Sequence, residues 1–176
     1  RGQISLQHVN LHGGTDQLVT VRAEGAIQDL TTQSGIALNF VIQGNEVASL
    51  EKIIGHTMPL KGAYEISGTL TDPRANNYNV SDFALKLGEN NLAGRLELNL
   101  LDKQMAFSVD LAAPQFTLQP VTIPEFETLG RIEDLGPLKL RARLVRSAKK
   151  IALENLDLNM GSEKMIAVMI KGDIQD

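Results

Sequence analysis

Through most of this chain apolar and polar residues alternate one for one, and a period of two suits a β-strand that buries one face. From Lys61 to Asp72, Tyr64, Ile66, Gly68 and Leu70 fall on one side and Glu65, Ser67, Thr69 and Thr71 on the other. That is the pattern of a half-buried antiparallel strand. Leu92, Gly94, Leu96, Leu98 and Leu100 repeat it, then Met105, Phe107, Val109 and Leu111, with the short polar turn Leu101 to Gln104 between the two runs. Later, Leu138, Leu140, Ala142 and Leu144 alternate with Lys139, Arg141, Arg143 and Val145. The basic run is therefore read as one solvated strand face, not as a binding patch.

Two stretches break the period and read as short helices. Asn45 is placed as an N-cap, Val47, Leu50, Ile53 and Ile54 share one helical stripe, and Gly55 ends it. The second opens at Pro124, carries Phe126 and Leu129, and closes at Gly130.

The chain also repeats internally. Segments beginning at Ile4, Asn79 and Ile151 share an apolar residue, two polar, an apolar, one polar, an apolar and then Gly. Leu6, Val80 and Leu153 start the pattern, Val9, Phe83 and Leu156 follow, then Leu11, Leu85 and Leu158, and Gly14, Gly88 and Gly161 end it. The interval is 74 residues from Leu6 to Val80 and 73 from Val80 to Leu153. The two-residue polar gap, Ser81 and Asp82 in the central copy, breaks strict alternation by one, as a β-bulge does, and a bulge bends and twists its sheet. Recurring at this interval, it predicts a curved trough. The approximate units are 1–58, 59–134 and 135–176, the first and last partial.

Composition removes several classes of function. A net charge of −4 and no clustered phosphate-binding surface argue against nucleic acid. No cysteine is present, so disulfides, thiol nucleophiles and Cys-ligated zinc are out of reach. The longest apolar run, Met165 to Ile170, is far shorter than a membrane-spanning helix. His8 and His12 lie four apart on a predicted strand, which is not the paired-ligand geometry of a helix, and His56 reads as a solvated turn residue. No nucleophile elbow, phosphate loop or zinc-protease motif occurs, and the carboxylates scatter over polar faces and turns. The reading is of a non-enzyme without metal or other cofactor, and the strand pattern beginning at once after Arg1 is read as a piece cut from a longer chain.

The stretch from Gly62 to Val121 resembles the repeated module of AsmA-like proteins of the bacterial envelope. Gly62, Gly68, Asp72, Leu85, Gly88, Leu92, Gly94, Leu96, Pro114 and Leu118 occupy the positions that carry the resemblance. The last copy departs from it, with Ala142 in place of the earlier Gly68 and GSEKMIAVMIKG in place of GENNLAG. The resemblance implies a periplasmic region of repeated β units whose parent is anchored in the inner membrane. It also implies similarity to bridge-like lipid transfer proteins and a part in phospholipid movement toward the outer membrane.

The expected fold is mainly β: a curved, antiparallel, repeated sheet, groove-like, with one or two short helices. The candidate site is its apolar face, with Tyr64, Ile66, Leu70, Phe83, Leu85, Leu87, Leu96, Leu98, Phe107 and Val109 as members. Aromatics are 4% of residues and Trp is absent, so the face is chiefly aliphatic and suits acyl chains without directional demands. Expected partners are phospholipid acyl chains, neighbouring β repeats of the same parent and other envelope proteins. The rival reading is a periplasmic β-repeat scaffold or outer-membrane protein assembly factor with a closed core. A carbohydrate-binding sandwich, with only Tyr64 and Tyr78 as tyrosines and no Trp to stack on sugars, and an enzyme stand further off.

Overall fold

A computed structural model describes residues 4–15, 19–32, 34–47, 62–101, 104–117, 136–147, 150–161 and 168–175. The described residues form one mixed-length run of ten strands: β1 (Leu6–Thr15), β2 (Val19–Asp29), β3 (Ser34–Gly44), β4 (Tyr64–Arg74), β5 (Asn77–Leu87), β6 (Asn90–Leu101), β7 (Gln104–Ala113), β8 (Leu138–Ser147), β9 (Ile151–Met160) and β10 (Val168–Gln175). They lie side by side in chain order in a single sheet, and every neighbouring pair is antiparallel. β1 does not pair with β10, so the sheet is open. Consecutive pairing is the cheapest solution for strands joined by short connections, because little loop entropy is lost on closing each pair.

Register turns the alternation of single strands into two continuous faces. Leu38 opposes Leu70, Leu70 opposes Val80, Val80 opposes Leu96, Leu96 opposes Val109 and Val109 opposes Ala142, one apolar row over six strands. A slip of one residue at any ladder would send half of that row to the other face.

The predicted bulges are present in all three copies. Register shifts occur between Leu6 and Val9, between Val80 and Phe83, and opposite Arg141 and Arg143 on β9. Each contains a non-glycine residue with positive φ: His8 at 57°, Asp82 at 50° and Asn155 at 52°. His, Asp and Asn are the side chains that tolerate this conformation best. The extra residue lets the apolar positions on both sides of the polar gap keep to one face.

Units 1–58, 59–134 and 135–176 contain β1–β3, β4–β7 and β8–β10 respectively. Gly172 opposes Leu156 just as Gly94 opposes Phe83 and Gly25 opposes Val9.

The two rims differ. At one, β4 passes to β5 through Ala75 and Asn76, and the neighbouring connections, such as that from Leu101 to Gln104, are comparably brief. At the other, long connections run from Gly44 to Tyr64 and from Ala113 to Leu138. There Val47, Tyr64 and Leu87 are buried together, with Val19, Ile42, Ile66 and Leu85 packed around them. The Val47 amide donates to the Gly62 carbonyl at 3.0 Å, tying the end of β3 to the start of β4. The next long connection is held by Asn90: its side-chain amide donates to the Thr117 carbonyl at 2.9 Å and its Oδ1 accepts from the Thr117 amide at 2.7 Å.

No helix occurs among the described residues. Asn45 is a bend and Val47 a turn, the rest of the first predicted helix, from Ala48 to Gly55, lies outside the described residues, and so does the second, from Pro124 to Gly130.

Candidate functional site

All ten predicted site residues stand on one face of β4–β7. Tyr64 opposes Leu87, Ile66 opposes Leu85, Leu96 opposes Val109 and Leu98 opposes Phe107, while Leu70 and Phe83 oppose Val80 and Gly94. The same parity adds Leu38, Phe40 and Ile42 on one flank and Leu140, Leu144, Leu153 and Leu158 on the other. The lining therefore extends well beyond the stretch from which it was read.

Burial is uneven along the strands. Tyr64 and Leu87, at the long-connection rim, and Phe83, further along β5 opposite Gly94, are 3%, 7% and 8% exposed. Ile66, Leu70, Leu85, Leu96, Leu98, Phe107 and Val109 are half-buried. Neighbouring side chains on the same face shield them laterally, and no second sheet lies over them among the described residues.

The opposite face is ordered by charge. Lys86 donates to Glu65 at 2.8 Å, and Arg95 and Arg141 both donate to the Asp110 carboxylate, at 3.1 and 3.2 Å. Lys171 lies 3.6 Å from Asp157 and Arg143 3.9 Å from Glu154. Each of these pairs is a directly opposed cross-strand pair. Arg141 and Arg143 of the basic run of β8 are thus compensated by β7 and β9, as on a solvated face.

The hollows of the surface lie beside the bulges. One of about 990 Å³ follows the β1 bulge and is lined by Leu6, His8, Val9, Glu24 and Gly25 among others. Another of about 840 Å³ crosses β5–β9, taking in Ser81, Arg95, Glu97, Asp110, Arg143 and Asn155. Of the ten predicted residues, only Leu96 and Val109 border it. Sequence reading missed both hollows, although the polar gap that marks each bulge was the signal for them.

Asp29 is the one described titratable group whose ionisation is displaced. The Thr31 backbone amide donates to its carboxylate at 2.8 Å and holds its pKa below the usual value. It closes the turn between β2 and β3. His8 sits in the β1 bulge and His12 opposes Arg22, and His56 lies outside the described residues. No cluster of three His, Cys, Asp or Glu suited to a metal ion occurs among the described residues.

Comparison with protein-family models, with curated proteins and with solved structures returned no match.

Proposed function

We propose that this chain is a non-catalytic lipid-binding module that holds phospholipid acyl chains along the apolar face of its sheet. The observation that carries the reading is an aliphatic lining continuous over successive strands and uncovered by a second layer among the described residues. Each methylene moved from water onto such a surface contributes roughly 0.8 kcal/mol, so a single acyl chain needs no directional polar contacts. Specificity for a headgroup is then weak. The resemblance to AsmA-like modules supports a periplasmic setting for this activity, on a parent anchored in the inner membrane and serving phospholipid homeostasis of the outer membrane.

A second reading, a β-repeat scaffold or assembly factor, draws on the enclosed cluster of Val47, Tyr64 and Leu87, which packs one end of the same face as a core. Native mass spectrometry of the purified protein separates the two. Phospholipid adducts are expected on the wild type and on Glu65→Lys, and are expected to vanish in folded Leu85→Asp and Phe107→Glu. Folded wild type free of lipid, or equal loss in all three variants, would favour the scaffold.

A further inference from the structure

We propose that the hollow beside the β5 bulge, on the polar face of the sheet, binds a small zwitterion whose oxyanion and ammonium group lie a few bonds apart. It is on the side of the sheet away from the apolar lining, so the inference stands apart from lipid binding. Equivalent positions in the repeated units carry it.

In the third unit the backbone amide of the bulge residue Asn155 donates to the Asp173 carboxylate at 2.7 Å. This amide belongs to the extra residue of the bulge, which the ladder leaves unpaired, and a positive φ beside it shapes an anion-binding concavity. Asp82 repeats the conformation, with φ of 50° against 52°. It repeats the register too, because Phe83 opposes Gly94 as Leu156 opposes Gly172. The residue after each glycine is therefore the one beside the bulge: Asp173 in the third unit, Arg95 in the second and Ala26 in the first. Where the third unit brings its own carboxylate to the amide, the second brings a guanidinium. An amide and a guanidinium together suit an oxyanion from another molecule.

The same comparison accounts for the space. Beside the Asn155 bulge the polar face carries Lys171 opposite Asp157, 3.6 Å apart. Beside Asp82 those two positions are Ala93 and Ala84, and Ala112 opposes Ala93 on the next strand. The short side chains leave a hollow of about 400 Å³, bordered by Ser81, Asp82, Ala93, Arg95 and Ala112 among others.

Charge selects the class of ligand. Arg95 donates to Asp110, a carboxylate that Arg141 also holds, and its guanidinium has further N–H groups to offer. Asp82 is exposed and carries the negative charge that Asn155 lacks. A simple anion in the hollow meets this carboxylate as well as the guanidinium, so much of its attraction is cancelled. A zwitterion sets its oxyanion against the Asp82 amide and Arg95 and its ammonium against the Asp82 carboxylate, which answers both charges.

Amide-resolved NMR titration of the protein at neutral pH tests this with glycine, acetate, O-phosphoethanolamine and inorganic phosphate. The Asp82 amide signal is expected to move with glycine at about 5-fold lower concentration than with acetate, and with O-phosphoethanolamine at about 5-fold lower concentration than with phosphate. The zwitterion that binds more tightly identifies the oxyanion as carboxylate or phosphate. Asp82→Asn should erase the advantage of each zwitterion over its simple anion, and Arg95→Gln should weaken both zwitterions about 5-fold. Ala93→Leu, on the solvent side, should fill the hollow and abolish the shift while the remaining signals report an intact fold. An Asp82 amide that no probe moves, acetate binding as tightly as glycine and phosphate as tightly as O-phosphoethanolamine, or zwitterion binding indifferent to Ala93→Leu overturns the proposal.

Discussion

Along β5–β8 the two faces of the sheet use adjacent residues to opposite ends. Val80, Leu96, Val109 and Ala142 make one apolar row, and beside it Arg95, Asp110 and Arg141 make an ion-paired row on the other side. Both rows obey the same register, but they contribute unequally. The charged pairs are well exposed, with Arg95 and Arg141 side chains at 76% and 65%, and pairs of this kind are worth about 0–1 kcal/mol each. The apolar row removes hydrocarbon from water at roughly 25 cal/mol per Å², so it carries the stability while the ionic row chiefly selects the pairing.

The register that keeps the faces apart is the first place to break the comparison. Gly94→Val puts a side chain where the Asp110 carbonyl already sits, and it is expected to cost about 4 kcal/mol in urea unfolding. Gly13→Ala, on open β1 with nothing within 4 Å, should stay within about 0.5 kcal/mol. Next comes the apolar face: Phe83→Ala, at a site 8% exposed, should cost about 3 kcal/mol by the same measurement. On the ionic face Asp110→Ala should cost about 1 kcal/mol or less, a difference that shrinks further in 1 M salt, where screening is about 3 Å. If Asp110→Ala were the costlier of these two, the assignment of stability to the apolar face would be wrong.

The smallest effect belongs to Asp29. Its folded pKa lies below the ordinary value of 3.8 because the Thr31 amide favours the carboxylate. Its contribution is thus complete above that value and is lost as pH falls through the lowered one. The melting difference between wild type and Asp29→Ala should be present at neutral pH and absent in strong acid.

Much of this was legible because strand structure writes itself into alternate positions. The facial grouping of Tyr64, Ile66 and Leu70 needed only the period, and the bulge at Asp82 showed as one residue too many between Val80 and Phe83. Gly94, by contrast, was read as one more member of the apolar face. Its real role, giving room to the Asp110 carbonyl, depends on a strand whose approach no local pattern encodes. The double grip of Arg95 and Arg141 on Asp110 was hidden for the same reason, since it joins three strands. Val47 is enclosed with Tyr64 and Leu87 at the rim, a contact between distant segments that the helical stripe did not announce.

By itself the amino-acid order determined that this chain makes amphipathic strands, where β1, β5 and β9 carry their bulges, and that the unit recurs, because these are properties of neighbouring residues. Only the tertiary structure decided that ten strands pair in chain order into one open sheet, that Asp110 meets Arg95 and Arg141 across its two ladders, and that the Asp110 carbonyl lies where a Cβ on Gly94 would be. Those outcomes come from register between strands, a long-range relation set by the packing of whole faces and not by any single stretch of sequence.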